Sequence, residues 1–427
     1  EAVRDAGGRA LLVGGSVRDG LLQRSPRDID IEVLGLDLDE LESILQRFGR
    51  CHRVGRGFQV IKLSALDIDF SVAEHPDLDF AQAARRRDLT INSMAMDPLS
   101  QELLDPHSGR SDLAQGMLRA TDADRFGEDP LRALRVMRIA AEFQMKVHPD
   151  LMQLCGDQNL AEVAPERIFA EFSRLLLFAP QPSIGLVLLE NTNLLRFFPE
   201  LDALRNVPQD PRWHPEGDVW IHTLMCVDRA AEMRQENTED APLMWATLCH
   251  DLGKPERTQV EEGQIRSLGH DIKGSEISEQ FLGRLKAPST LIGQVVALVR
   301  HHLAPALYVT QEAGPRGYRR LARRMGDASA SLDLLERLAR ADHFGRTTPD
   351  AEIRAFPAGE AFLEKAEAYS VAQSPLVDTV HGRHLIARGL QPGRKFGEIL
   401  DQCRSIQDES GETDPDVILD QIFSTKS

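Results

Sequence analysis

Apolar and polar positions along the chain change period near its first third. Leu12-Val13 opens as a strand, Gly14-Gly15 turns the chain, a short helix runs from Ser16 through Leu22, and a second strand carries Asp28 and Asp30. Apolar residues at Leu38, Leu41, Ile44, Leu45 and Phe48 recur at helical spacing and predict a helix over 38–48. Two strands follow, Phe58 to Leu63 and Leu66 to Val72, joined at Ser64-Ala65. A turn then leads into a helix with Asp77 or Asp79 near its start. From about Met145 strands disappear, and helical periodicity runs on, broken at Pro180-Gln181-Pro182 and from Val207 to Pro215. Ala358 to Tyr369 and Lys395 to Arg404 read as further helices.

This pattern is an α/β head followed by an all-helical remainder. At 427 residues the chain has room for two or more cores. Hydrophobic residues make up 42% and charged residues 27%, ordinary for a globular protein, and no run of about 18 apolar residues predicts a membrane span. Cys51, Cys155, Cys226, Cys249 and Cys403 are scattered and odd in number, which excludes a disulfide scaffold and fits a reducing cytoplasm. Fifty basic against 67 acidic residues leave a net charge of −17, so any RNA contact must use local basic patches.

The head carries the first candidate chemistry. Gly14 and Gly15 let the backbone approach a bound phosphate closely. Strand residues two apart share a face, so Asp28 and Asp30 present two carboxylates together, a site for Mg²⁺ and a nucleoside triphosphate. Asp67 and Asp69 share a face of a neighbouring strand, from which a third carboxylate is available. Arg85-Arg86-Arg87 sits where guanidinium groups would neutralise a triphosphate, and Asn92 is placed to hydrogen-bond ribose or phosphate. Leu104 to Leu113 reads as a strand end, a turn and a short helix, taken as a hinge. In the segment from Glu128 to Arg138, Asp129 and Arg132 share a helix face that Arg135 and Arg138 continue; Asp129 as a helix cap with Pro130 in the first turn is the structural alternative.

Taken in order, Gly14-Gly15 with Arg18-Asp19, Asp28-x-Asp30, Arg86-Arg87-Asp88-Leu89-Thr90-Ile91-Asn92-Ser93-Met94-Ala95 and Glu128-Asp129-Pro130-Leu131-Arg132 resemble the class II tRNA nucleotidyltransferase and bacterial poly(A) polymerase family. The resemblance covers nearly the whole chain. It implies a polymerase-β-like nucleotidyltransferase head, with Asp28, Asp30 and Asp69 as catalytic carboxylates on Mg²⁺. It further implies that Gly14, Gly15, Arg18, Arg86, Asn92, Asp129, Arg132, Arg135 and Arg138 bind the nucleotide. Asp129 and Arg132 would serve as an amino-acid template, accepting from the exocyclic amine of cytosine or adenine and donating to its ring.

His222, His250-Asp251 and Asp342-His343 follow in an order that resembles the HD metal-dependent phosphohydrolase superfamily. His222, His250, Asp251 and Asp342 would hold a divalent transition metal such as Mn²⁺, Co²⁺ or Ni²⁺, with His270 and His301-His302 as candidates for a second ion, His301 taken first. His107, His148, His214 and His384 lack partners in the pattern. Arg383 to Gly393 looks like the tail that follows HD domains in this family, expected to pack on the helical body.

The expected organisation is a head over 1–115, a helical neck for base and RNA recognition over 116–180, an HD-type body over 181–356 and a tail over 357–427. The implied function is cytoplasmic addition of CMP and AMP, from CTP and ATP, to the tRNA 3′ end without a nucleic-acid template, with an accessory HD phosphohydrolase activity. Alternatives are a poly(A) polymerase, a partial CC-adding or A-adding enzyme, an HD phosphohydrolase with an RNA-binding head, and a tRNA-binding protein without activity. Only about a dozen residues separate Val72 from Arg85, where family members generally carry a longer loop thought to help the pocket switch from CTP to ATP. Either the natural loop is short and addition stops after CC, or native loop residues lie outside this sequence; the abrupt Val72-Ala73-Glu74-His75 join favours the second.

Overall fold

A computed structural model describes residues 1–26, 28–54, 60–64, 68–235 and 238–424. Phe58, Ala65 and Asp67, which the sequence pattern assigned to the strand pair, lie outside the described residues. The chain divides into two compact units, residues 1–164 with 184–197 and residues 165–183 with 198–427.

The first unit is built on a sheet of β1 (Arg9–Val13), β2 (Ile29–Leu34), β3 (Cys51–Val54), β4 (Val60–Leu63), β5 (Ile68–Val72), β6 (Ala95–Met96) and β7 (Leu103–Leu104), in the order β3-β4-β5-β2-β1-β6-β7. β2 and β5 run parallel; the other neighbours are antiparallel. Alternation along β2 turns Ile31 and Val33 toward the helix Leu38–Leu45, whose Leu41, Ile44 and Leu45 share their core with Ile61, Leu63 and Phe70. That leaves Asp30 and Glu32 on the opposite face. The helix starts on a capping box, Asp37 accepting from the Glu40 N–H and Glu40 from the Asp37 N–H.

This helix is shorter than its periodicity suggested. It ends at Leu45, and Phe48 is 60% exposed in the turn that returns the chain to the sheet. The strand β3 that follows was not foreseen: it is an edge strand with His52, Arg53 and Val54 exposed, and so has no buried face to impose alternation. The helix Phe80–Ala84 takes Asp79, not Asp77, as its cap.

Strands also persist beyond Met145. Lys146–Val147 pairs in parallel with Met117–Leu118, and Gln259–Glu261 forms a hairpin with Gln264–Arg266. The hairpin turn has positive φ at Glu262 (51°) and Gly263 (76°), the conformation of a two-residue type I′ connection. Both strands are short and largely exposed, which is why hydrophobic patterning carries no trace of them.

The second unit is otherwise helical. The helix Ala241–Cys249 is buried from Pro242 to Cys249, and Trp245 stacks on Phe169 at 5.3 Å between ring centroids. Against it pack the helices Val219–Met233, Ser289–His301 and Leu332–Phe344. The tail has a small core of its own around Leu385, Ile399, Ile418 and Leu419. Its helix Arg394–Ser410 packs on the helix Pro315–Asp327, where Arg323 bonds Asp378 (2.6 Å) and Asp408 (3.0 Å).

Two candidate active sites

In the first unit, the sheet register assembles the acidic residues. Val13 faces Asp30 across β1–β2, and Asp30 faces Asp69 across β2–β5. Asp28 stands just before β2 rather than within it. Ser16 ties that entry down: its hydroxyl donates to the Asp28 carbonyl (2.9 Å) and accepts from the Asp30 N–H (3.2 Å). Burial raises the Asp30 pKa, helped by the charges of Asp69 and Asp28 and opposed by Arg87 and Arg135. Lys62 pairs with Asp69 at 3.0 Å. Gly14 sits at φ +69°, and a Cβ there would lie 3.1 Å from an Arg87 guanidinium nitrogen and 3.5 Å from an Asp30 carboxylate oxygen. The turn, the arginine and the carboxylate are therefore packed at one point that only glycine fits comfortably.

Around this point lies a buried polar frame. Glu32, fully buried, accepts from Arg86 (2.7 Å) and Arg87 (2.5 Å), and Arg86 also donates to the Val72 carbonyl. Burial pushes the Arg86 guanidinium down in pKa despite Glu32. Arg18 donates to the Asn92 side-chain oxygen (2.8 Å) and lies over the Phe143 ring; Asn92 donates to Asp88 (3.0 Å), which pairs with Arg135 (3.0 Å). Burial alone would raise the Asp88 pKa, but Arg135 and the Asn92 hydrogen bond outweigh it and hold it low. Arg132 donates to the carbonyls of Arg125 and Arg86, which binds the helix Arg132–Phe143 to the arginine segment. Arg138 is turned to Glu142 at 2.9 Å and is buried. Asp129 precedes the helix, in extended backbone, and accepts from the Leu131 N–H at 3.2 Å. Asp105 accepts from the Gly109 and Arg110 N–H groups and so starts the hinge helix Gly109–Gln115, which approaches Thr90 so closely that a Cβ on Gly109 would lie 2.1 Å from its carbonyl. Glu32 was missed here, since nothing local distinguishes it from a surface acid; Asp88 stands inside the Arg86 to Ala95 motif but was given no role.

In the second unit, His222, His250, Asp251, His270, His302 and Asp342 come together from separate helices and their ends. His222 Nε2 lies 3.0 Å from Asp342 and 3.9 Å from Asp251; His270 Nε2 lies 3.4 Å from Asp251 and 3.2 Å from His302 Nε2. His250, His270 and His302 each direct Nδ1 to the backbone carbonyl three residues earlier, of Thr247 (2.8 Å), Ser267 (2.7 Å) and Val299 (2.6 Å). An Nδ1–H donor there leaves Nε2 as a lone pair aimed inward, the tautomer a metal-binding histidine requires. Among the described residues, His250 Nε2 and both Asp251 oxygens are buried and make no well-aligned hydrogen bond; they are held by charge, with Lys254 at 2.7 Å and His250 Nε2 at 3.2 Å from one Asp251 oxygen. A buried carboxylate and lone pairs facing one another fit a cation between them. Burial and the neighbouring His270 and His250 push the His302 pKa down to about 4, which keeps the ring neutral. His250 moves the other way: burial would lower it, but Asp251 at 3.2 Å raises it.

Of the pair at 301–302, the structure gathers His302 with Asp251 and His270, which corrects the expectation of His301. The buried face of the helix Ser289–His301 runs through Leu291, Val295, Leu298 and Val299, and the next positions on that stripe fall at 302. His301 lies off it, near Arg324 and Arg300. His214, set aside as partnerless, is also corrected. Its Nδ1 lies 2.9 Å from Glu216, whose same oxygen is 2.8 Å from His222 Nδ1. Burial would raise the Glu216 pKa, but the two histidines hold it low. Lys254 bonds Asp251 at 2.7 Å, Arg346 pairs with Asp342 at 3.4 Å, and Cys226 Sγ lies 3.3 Å from His222 Nε2. His214 and Glu216 belong to an aperiodic loop, so no pattern pointed to them; Cys226 is one helical turn from His222, a spacing that a search for ligands could have used.

Known proteins place both units. The model of the Poly A polymerase head domain matches residues 10–119, that of the probable RNA and SrmB-binding site of polymerase A matches 146–205, and the HD domain matches 219–346. A multifunctional CCA protein of Alkalilimnicola ehrlichii is 32% identical over 427 residues, spanning 93% of this chain and 96% of that one. One of Actinobacillus pleuropneumoniae is 33% identical over 319 residues, 68% of this chain and 74% of that one. Among solved structures, the Bacillus stearothermophilus CCA-adding enzyme in complex with CTP matches with a TM-score of 0.66 at 21% identity, covering 100% of this chain and 96% of that one. The Thermotoga maritima CCA-adding enzyme complexed with tRNA matches at 0.60 and 18%, covering 100% and 93%.

Proposed function

Because the chain belongs to the multifunctional CCA protein family and is a tRNA nucleotidyltransferase that adds CMP and AMP to the tRNA 3′ end, we propose that Asp28, Asp30 and Asp69 form its catalytic centre. The observation that carries this is the register of β2 against β5, which sets Asp30 opposite Asp69. These carboxylates would hold Mg²⁺, which would supply charge neutralisation of the triphosphate and activation of the RNA 3′-hydroxyl. The raised pKa of Asp30 fits an anionic cluster built for a cation.

Gly14 and Gly15 bring the backbone to the triphosphate, and Arg87, held by Glu32 against Gly14 and Asp30, meets its charge together with Arg86. Buried Arg18, Asn92 and Asp88 with the partly exposed Arg135 form one relay that orients the nucleotide's sugar side against the helix Arg132–Phe143. Asp129 and Arg132 select the base edge, and Arg138, anchored by Glu142, holds that helix in place. The head over 1–115 performs transfer and the segment 116–180 reads base and RNA, a division the RNA-binding match over 146–205 supports in part.

For the HD body we propose metal-dependent phosphohydrolysis. His222, His250, Asp251 and Asp342 would hold a transition metal such as Mn²⁺, Co²⁺ or Ni²⁺, which would supply Lewis-acid chemistry toward a phosphate ester. His270 and His302 extend the set toward a second ion. Glu216 fixes the His222 ring, and Lys254 stands beside Asp251 where it can meet a phosphate oxygen.

The test is incorporation of labelled CTP and ATP into tRNA ending at its discriminator base. Products extended by C, C and A meet the reading; extension by A alone or by many A residues overturns it.

A further inference from the structure

Two cations, Lys254 and Arg346, stand to the helical site in the same way. Lys254 Nζ lies 2.7 Å from Asp251, and Arg346 Nη2 lies 3.4 Å from Asp342. Both carboxylates also approach His222 Nε2, at 3.9 and 3.0 Å, so each cation shares its acid with the place where the ligand atoms meet. Burial brings the His214 pKa down to about 4 against Glu216, and Lys254 and Arg346 push the same way, which sets both charges near that one ring.

The two differ in how well they are satisfied. Lys254 meets Asp251 and the Gln209 side-chain oxygen, both at 2.7 Å. A guanidinium offers five N–H donors and grips a carboxylate or phosphate best through two of them at once. Arg346 makes one long contact, from Nη2 to Asp342 Oδ1 at 3.4 Å, and that oxygen already lies 3.0 Å from His222 Nε2. Its Nε, the other donor of that edge, is buried and makes no well-aligned hydrogen bond among the described residues. A buried donor of a charged group left in this way costs free energy until an acceptor meets it. The side chain is 22% exposed, so an acceptor can reach it from solvent. Spacing explains the placement: Arg346 follows Asp342 by four residues, one turn on, where the helix Leu332–Phe344 ends.

We propose that Arg346 is a phosphate-binding residue of the HD centre, which releases Asp342 when a divalent cation takes that carboxylate and offers its Nε–Nη2 edge to a terminal phosphate of the substrate. Without the ion, Arg346 and Lys254 balance Asp342 and Asp251; with the ion on those acids, their charge is free for an anion. Arg346 thus opposes the ion and favours the anion, two effects of opposite sign. Phosphate is the fitting anion, since two of its oxygens match two donors on one guanidinium edge and its charge meets both cations. The inference rests on the reading of this cluster as a metal centre.

Arg346→Gln and Arg346→Lys in the full-length protein, stripped of metal and titrated with Co²⁺ by calorimetry, provide the test. The glutamine variant should bind Co²⁺ about two- to fivefold more tightly, the size of a partly exposed ion pair. Loaded with Co²⁺, it should bind inorganic phosphate about tenfold or more weakly, the loss of hydrogen bonding to a charged group. The lysine variant keeps the charge and loses the fork, so its Co²⁺ affinity should match the parent while its phosphate affinity falls between. In hydrolysis of a phosphomonoester the loss should lie mainly in KM. Weaker Co²⁺ binding by the glutamine variant, or unchanged phosphate binding by either variant, overturns the proposal and leaves Arg346 a support for Asp342. The lysine variant decides the matter by its phosphate affinity if the glutamine variant does not fold. Failure of the unmodified protein to bind Co²⁺ overturns the metal centre and this inference together, whereas Co²⁺ binding without phosphate binding overturns this inference alone.

Discussion

On the proposed reading the two sites would solve the same problem, holding phosphate chemistry near a cation, with opposite materials. In the head the acids are open: Asp28 is exposed and Asp30 and Asp69 half-buried, set by strand register and balanced by arginines that Glu32 anchors. In the HD body the donors are buried imidazoles and carboxylates, each imidazole fixed by a backbone carbonyl or by Glu216. An open carboxylate edge suits a hard, hydrated ion that arrives with its nucleotide, whereas a sealed imidazole cluster suits a resident transition metal. Every donor of the first belongs to residues 1–164 and every donor of the second to residues 198–427, so each should fail without the other.

The sharpest break in this comparison is Asp30→Ala. Loss of a shared carboxylate should cut CMP and AMP incorporation by about 10²–10³-fold or more, with circular dichroism unchanged and HD activity kept. Near-normal incorporation by the folded variant rejects the proposed centre.

His250→Ala probes the other side. Metal-dependent hydrolysis of a phosphate ester, assayed with Mn²⁺, Co²⁺ or Ni²⁺, should disappear, while nucleotide addition stays within about twofold. Parallel loss of both activities would mean that the sites are coupled.

Asp129→Ala sharpens the reading within the head. Discrimination against UTP and GTP should relax by about tenfold, as expected for loss of one base-edge partner worth roughly 1–2 kcal/mol. If Asp129 only caps the turn through Leu131, the variant loses about 1 kcal/mol in thermal unfolding and discriminates as before.

The smallest effect concerns pH. Burial raises Asp30 above its unfolded pKa, so its ionised form costs stability above the folded pKa, and the cost vanishes below the unfolded value, where both states are protonated. Asp30→Asn should therefore stabilise the metal-free protein near neutral pH, by under about 1 kcal/mol for a half-exposed group. The gain should fade as the solution is acidified through the carboxylate range, and Mg²⁺ should reverse its sign; melting curves with and without Mg²⁺ across pH decide it.

Local chemistry determined much of this protein. The turn at Gly14-Gly15, the paired acids Asp28 and Asp30, the arginine segment and the order of His222, His250-Asp251 and Asp342 are short patterns whose meaning survives without a fold. What they left open is whatever depends on packing. Periodicity alone marked neither His301 nor His302, and only the buried stripe of their helix selects the second. Edge strand β3 and the Gln259–Arg266 hairpin bury little, so the hydrophobic pattern that announces a strand was never written into them. Glu32 and Glu216 take their significance from Arg86 and His222, 54 and 6 positions away, contacts that the tertiary structure creates and no local pattern encodes.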